Sequence, residues 1–292
     1  MITDNTLRYF EEILTSSLKE EVRIFSFRAV GGGDINAAYK LETNYYPLFV
    51  KMNSASRYPE MFIKEASGLR LLAQANCIRT PQVILEGEHL DKSFLILEYL
   101  ESSRPQSDFW FKLGSGLAKL HMNTSDQFGL DDSNYIGSLK QFNDFKDDWL
   151  SFFIEERLLR QIKLAKDSNL VDNTVLSAFE RLFKVLNEIF PEESASLLHG
   201  DLWSGNYMVD NVGDPVLIDP AVYYGHREMD LAMTRLFGGF SSGFYKFYNE
   251  TYPLEKGWES RMDICNLYPL LVHLNLFGSS YLHQISSILR RF

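Results

Sequence analysis

Three oxygen-bearing side chains, Asp201, Asn206 and Asp219, stand in one short stretch of this chain at a spacing that can serve phosphoryl transfer. The stretch reads HGDLWSGN from His199 to Asn206, then YMVD, the turn NVGD, PVLI and Asp219. Asp210 to Asp214 is a strong turn signal between two apolar runs, so a hairpin is predicted. A turn midway between residues 206 and 219 sets Asn206 opposite Asp219 at the hairpin's open end, roughly 5 Å apart at Cβ. An amide and a carboxylate there form a partial ligand set for Mg²⁺, which takes oxygen donors and leaves room for phosphate and water. Asp201 precedes Asn206 by five residues, as in the kinase catalytic-loop pattern of Asp, Leu, three variable residues and Asn. In that position Asp201 orients a substrate hydroxyl and accepts its proton. Any one of the three could merely cap a turn. Their joint spacing around a hairpin favours chemistry.

The elements that must position them are legible further out. Lys51 ends the apolar run LFVK, so it lies in a strand with its stem packed and its ammonium in need of an anion. The helical pattern from Pro59 to Ala75 puts Glu65 on the same face as Phe62, Ala66, Leu69 and Leu72. An inward carboxylate is costly without a partner, and Lys51 is the available one. Such a pair aims lysine at the α- and β-phosphates of a nucleotide; a snorkelling lysine and an edge glutamate are the plainer alternative. Gly31, Gly32 and Gly33 sit between two strands and can form a loop whose backbone approaches phosphates, although glycine-rich hairpin turns are common. The run Leu95 to Leu100 occupies the place of an adenine-binding hinge, with the C=O of Glu98 and the N–H of Leu100 free to meet a base edge; an apolar core strand explains the same residues.

Residues 1–100 carry the alternation of a sheet. A helix capped by Asp4 or Asn5, with Leu7, Phe10, Leu14 and Leu18 on one face, precedes strands at 21–30, 34–43, 48–52, 82–86 and 93–99. A linker is expected near residues 99–107, in LESSRPQSD. Residues 101–292 are mostly helical, with long periodicities over 109–121, 147–166, 173–190, 229–237 and 262–292, interrupted by the β-like stretch 197–218. The prediction is an α+β, two-lobed chain: a small β-rich, nucleotide-binding lobe and a larger helical lobe carrying catalysis and substrate. The 292 residues carry a net charge of −10, of which −2 falls in residues 1–100 and −8 in the rest, which argues against a nucleic-acid binder. Only Cys77 and Cys265 are present, too far apart for a metal or disulfide framework. No leader or membrane-spanning run is apparent, so a cytoplasmic monomer is expected.

HGDLWSGN, DPAVYYGHREMDLAMTRLFGGF and LNLFG resemble the fructosamine (ketosamine) kinase family, as do GGGDINAAYKL, FVKMN, MFIKEASGL and LAKLHMNTSDQFG. The likeness runs from about residue 20 to 285. It implies the protein-kinase-like fold shared with aminoglycoside and choline kinases, ATP and Mg²⁺ as cofactors, and transfer of the γ-phosphate to the sugar 3-hydroxyl of a ketosamine. The unstable 3-phosphate would place the activity in deglycation. By the same resemblance Asp201 is the base, Asn206 and Asp219 hold Mg²⁺, and Lys51 with Glu65 positions phosphate. Asp230 and His199 support the catalytic loop. Pro220-Ala221 follows Asp219 in place of Phe-Gly, so a protein-kinase-style switch is not implied, and Asp34 stands where some members carry a redox-active cysteine.

For the acceptor, Trp203 offers an aromatic face two residues after Asp201, suited to a sugar and an ammonium. His226, Arg227 and Glu228 could reach hydroxyls or the amine, or Arg227 and Glu228 could pair with each other. His273 is a further candidate on a largely apolar helix, where a satisfied core histidine is the competing reading, and His89, His121 and His283 have no constellation around them. The competing functions are an aminoglycoside, choline or homoserine-type kinase and a catalytically inactive kinase-like binding module. A Ser-His-Asp hydrolase is not supported, since no G-x-S-x-G occurs.

Overall fold

The structure, a computed structural model, describes residues 2–31 and 36–292. The first helix, α1 (Asp4–Leu18), is capped by Thr3, whose Oγ1 accepts the Thr6 N–H at 3.3 Å. The cap thus falls one residue before the expected Asp4: extended backbone at Thr3 leaves Asp4 in the first turn, where its charge suits the helix dipole. Strands β1 (Ile24–Val30), β2 (Ala37–Thr43) and β3 (Leu48–Ser54) follow, then α2 (Met61–Ala75), β4 (Val83–His89) and β5 (Lys92–Glu98). They form an antiparallel sheet in the order β1-β2-β3-β5-β4.

The period of two along its central strands decides what each helix covers. Phe94 and Ile96 of β5, with Val50 and Met52 of β3, pack under Phe10 and Leu14 of α1. Leu95 and Leu97 face the other way, against Phe62, Ala66 and Leu69 of α2. Lys51 lies between Val50 and Met52 and therefore points to the α2 side. Its direction toward Glu65 is a consequence of strand parity.

Tyr99 to Gln106 have no regular structure, and the helical lobe opens with α3 (Phe109–His121). Short strands β6 (Thr124–Ser125), β7 (Asn134–Ile136) and β8 (Leu139–Gln141) come next. Helix α4 (Trp149–Phe152) runs through π-helical turns, Phe153–Leu159, into α5 (Arg160–Asp167). After α6 (Asn173–Phe183) come β9 (Ala195–Leu198), β10 (Tyr207–Val209), β11 (Pro215–Leu217) and β12 (Tyr223–Gly225). The chain closes with α7 (Glu228–Leu236), α8 (Ser242–Thr251), α9 (Trp258–Cys265), α10 (Leu267–Phe277) and α11 (Leu282–Leu289).

Two helical periodicities are broken. The 262–292 pattern becomes parts of three helices, ended at Asn266 and again at Gly278, whose φ of +92° only glycine adopts freely. The 173–190 pattern stops at Phe183 and finishes in a single tighter turn, Leu186–Glu188. Helix α8 has no counterpart in the sequence reading, because its buried face is aromatic, Phe244 and Tyr248, rather than an aliphatic stripe. It crosses α3 so closely that a Cβ on Gly114 would lie 2.4 Å from the Phe244 carbonyl oxygen. Glycine at 114 sets the depth of that crossing.

Candidate active site

The hairpin turns at Asp210 to Asp214, where Asp210 Oδ1 accepts the N–H groups of Val212 and Asp214 and Gly213 takes a φ of +91°. The turn is symmetric about Val212, so Tyr207 pairs with Leu217 and Val209 with Pro215. Asn206 is therefore opposite Ile218, whose N–H donates to the Asn206 carbonyl at 3.0 Å. The expected pairing with Asp219 is off by one residue. Asp219 instead takes a left-handed φ of +54°, and its carboxylate turns into the cleft beside Lys51.

Lys51 Nζ donates to Glu65 Oε1 at 2.8 Å and to Asp219 Oδ1 at 2.7 Å. Burial opposes the charge on Lys51, but the carboxylates of Asp219 and Glu65 outweigh it and hold the ammonium above its usual pKa. On the far side of Asp219, Asn206 Nδ2 donates to the Asp201 carbonyl at 2.8 Å and to Asp201 Oδ2 at 2.9 Å. Burial pushes the Asp201 carboxyl up to about 7, against the Asn206 hydrogen bond and with the help of the Asp219 charge. A carboxyl near neutrality accepts a proton in step with a reaction far more readily than an ordinary aspartate.

The loop carrying Asp201 is held from beneath. Asp230, 1% exposed, accepts the N–H of His199 at 2.7 Å and of Gly200 at 2.9 Å. Burial works against this carboxylate, but the hydrogen bond from His121 holds it below the usual range. His121 Nε2 donates to Asp230 at 3.2 Å, and its Nδ1 accepts the Tyr248 hydroxyl at 2.8 Å. His199 Nε2 donates to the Ile218 carbonyl at 2.9 Å, leaving Nδ1 to accept the Asp201 N–H at 3.3 Å. Gly200 has a φ of +84°, and a Cβ there would lie 2.0 Å from the Ala221 carbonyl oxygen.

The segment after Asp219 is likewise fixed. Gln141 donates to the Ala221 carbonyl at 2.9 Å and Asn134 to the Val222 carbonyl at 2.8 Å. Tyr268 in turn donates to Gln141 Oε1 at 2.8 Å. These buried amides clamp the backbone that follows Asp219, in a segment without the Phe-Gly of a protein-kinase switch.

Two cavities meet at these residues. One, of about 380 Å³, is lined by Val30, Gly31, Ala38, Leu97, the stretch Glu98 to Leu100, Met208 and Ile218. The other, of about 300 Å³, is lined by Glu65, Tyr135, Asp201, Pro269, His273 and Phe277. Asn36, Lys51, Trp203, Asn206 and Asp219 line both. Trp203 is 38% exposed and lies across Gly205, where a Cβ would meet the indole at 2.3 Å. His273 Nδ1 donates to the Pro269 carbonyl at 2.7 Å, and burial lowers its pKa, so the ring is neutral and Nε2 is an acceptor. Glu98 keeps its side chain out of the cavity, on Arg79 at 2.7 Å and the Gln82 N–H at 2.9 Å. Gly32, Gly33 and Asp34 lie outside the described residues.

Three candidates are placed elsewhere. His226, Arg227 and Glu228 are 0%, 2% and 0% exposed and line neither cavity. Pairing of β12 with β9 carries the chain into the lobe rather than toward the cleft. Arg227 clasps Glu193 at 2.8 and 2.7 Å, Glu228 clasps Arg261 at 2.8 and 2.6 Å, and His226 packs against Trp149 and Phe190. Nor do Arg227 and Glu228 pair with each other. Sequence reasoning also passed over His121, whose partners Asp230 and Tyr248 lie 109 and 127 residues away. Arg79 was missed too; it joins Glu98 of the sheet lobe to Asp210 of the hairpin turn.

Among the described residues no three His, Cys, Asp or Glu side chains form a closed metal cage. The oxygens of Asn206 and Asp219, open to the cleft, suit a cation that takes few protein ligands and completes its shell with phosphate and water.

The model of the fructosamine kinase family matches residues 7–292. A protein named probable ketoamine kinase from Synechocystis is 40% identical over 281 residues, covering 95% of this chain and 94% of that protein. The chloroplastic protein-ribulosamine 3-kinase of Arabidopsis thaliana is 38% identical over 284 residues, covering 96% of this chain and 85% of its own. The crystal structure of a Haemophilus somnus protein assigned as a fructosamine-3-kinase superposes with a TM-score of 0.88 at 30% identity, covering 97% and 96% of the two chains. An aminoglycoside phosphotransferase crystallised with AMP-PNP and hygromycin B shares the fold, at TM-score 0.65 and 16% identity over 96% and 97%. With the family model spanning nearly its whole length, the chain belongs to the fructosamine kinase family.

Proposed function

We propose that this kinase transfers the γ-phosphoryl group of ATP to the sugar 3-hydroxyl of a ketosamine of the fructosamine or ribulosamine type, and so acts in deglycation. The observation that carries the reading is the shared lining: Lys51, Asn206 and Asp219 line both a largely apolar cavity and a second, aromatic-lined one that holds Asp201. Adenine fits between Val30, Ala38 and Leu97 on one side and Met208 and Ile218 on the other, with the backbone of Glu98 and Leu100 at its edge. Lys51, held by Glu65, meets the phosphates. Asn206 and Asp219 would hold Mg²⁺, which neutralises phosphate charge when bound. Asp201 orients the acceptor hydroxyl and takes its proton. Trp203 covers the C–H face of the sugar, and neutral His273 accepts from a hydroxyl through Nε2.

The test is a panel of acceptors with labelled ATP. Label transfer to 1-amino-1-deoxy ketoses, and not to aminoglycosides, choline or homoserine, is expected. Transfer to one of the latter instead would reassign the substrate class, and tight MgATP binding without turnover on any acceptor would make the chain a binding module.

A further inference from the structure

Across Leu276 and Phe277 from the acceptor cavity lies a third hollow of about 460 Å³, between the outer end of the sheet and α10. The two share Leu276 and Phe277, and their walls adjoin at Asn36 and Ala37 and at Gly137 and Ser138. Their linings differ in balance. The acceptor cavity sets the three acids Glu65, Asp201 and Asp219 against Lys51 and Lys64. The outer hollow carries Arg57 and Lys92 and no carboxylate among its lining residues. Among the described residues neither cation is in a salt bridge. Asp91, next to Lys92 and within its electrostatic reach, accepts the N–H of Ser56 and the hydroxyl of Ser54 and lines neither cavity. The Arg57 guanidinium lies over the Tyr58 ring, 5.2 Å from its centroid. In a chain of net charge −10, a cavity walled by two cations beside the acceptor site is a feature the transfer of phosphate does not require.

We propose that this hollow is the subsite for the amine substituent of the acceptor, and that it recognises a carboxylate there, as in a ketosamine built on the α-amino group of a free amino acid. The inference rests on the ketosamine reading above. A ketosamine with its 3-hydroxyl at Asp201 projects its C1 nitrogen and whatever that nitrogen carries away from the reacting centre. An α-carboxylate lies only one carbon beyond the nitrogen. Arg57 offers it a planar fork and Lys92 a second charge. Such a substrate is a zwitterion, whose ammonium suits the carboxylates of the acceptor cavity and whose carboxylate suits the basic hollow.

The experiment compares three acceptors with one sugar: the ketosamines of glycine, of glycinamide and of ethylamine. It is run on wild type, Arg57→Gln, Lys92→Gln and the double variant, at low and high salt. Both residues are exposed, so the variants keep the fold. We expect the glycine compound to be used about threefold to tenfold better in KM than the other two, the range for partly exposed charge-assisted contacts. That advantage should shrink with salt, vanish in the double variant and return in part with Arg57→Lys. A peptide ketosamine with a remote carboxylate should show none of it. Equal use of all three acceptors, or an advantage untouched by the double variant, overturns the subsite while leaving the ketosamine reading in place. Turnover of none of them overturns both.

Discussion

The Lys51 cluster is asymmetric, and the asymmetry can be measured. Lys51 is 6% exposed and touches two carboxylates, but the side chains of those two are unequal: Glu65 is 12% exposed and Asp219 44%. Lys51→Met keeps the packed stem and strands Glu65 without a cation. A buried ion left unpaired costs about 3–5 kcal/mol, and the lower end applies because Glu65 can take a proton instead. Asp219 hydrates at little cost. Glu65→Gln, by contrast, leaves the ammonium on Asp219 at 2.7 Å and costs about 1 kcal/mol, one hydrogen bond to a charged group weakened. In the double variant the stranded charge is gone, so it should be more stable than Lys51→Met alone. At roughly 2 °C per kcal/mol for a chain of this size, the melting temperature should fall by about 6 °C, 2 °C and 3 °C respectively. Activity should follow a different pattern: each single variant loses about as much as the double, because partners in one unit are non-additive. Thermal melts and label transfer on the four proteins give both cycles. Additive losses in both stability and activity, or a Glu65→Gln protein less stable than Lys51→Met, would refute the paired arrangement.

Asp201→Asn should bind MgATP within a few-fold of wild type while turnover drops at least about 10²-fold; near-normal turnover would mean that another group takes the proton. Trp203→Ala should raise the acceptor KM by about 2- to 30-fold, as a lost cation–π contact predicts, and impair acceptor use much more than ATP binding, with the melting temperature measured alongside. Unaltered acceptor kinetics in that variant would remove the ring from the acceptor site. His226 gives a pH dependence: burial pushes it down to about 4, so between about pH 6.5 and 4 the unfolded chain holds a proton that the native state refuses. Stability should therefore fall as pH drops through that window, and His226→Phe, packed between Trp149 and Phe190, should lose about 2 kcal/mol less than wild type between pH 7 and 5. Denaturant titrations at the two pH values check this, and identical losses would contradict it.

What could be read in the sequence was local or periodic. Asp201, Asn206 and Asp219 fall within 19 residues, and the hairpin between them announces itself through Asp210 and Gly213. Lys51 and Glu65 are 14 residues apart, and two simple periodicities, a strand's and a helix's, aim them at each other. The hairpin register slipped by one because a side chain of the turn, Asp210, rather than the apolar pattern sets its centre. Arg227 and Glu228 read as acceptor contacts or as partners of each other because their actual partners, Glu193 and Arg261, are 34 and 33 residues off and nothing in the pattern points to them. His121 was passed over for the same reason, as its role exists only once α3, α7 and α8 are packed together. The hairpin of β7 and β8, which clamps Ala221 and Val222 through Asn134 and Gln141, lies in a stretch with no periodicity to read.

The most direct measurement is the position of the transferred phosphate. Incubation with MgATP and a 1-amino-1-deoxy ketose, followed by phosphorus and proton NMR of the product, should show one phosphate coupled to the proton on C3 for each ADP formed, and no product with Asp201→Asn. Phosphate on another hydroxyl, or ADP released without a phosphorylated sugar, would contradict it.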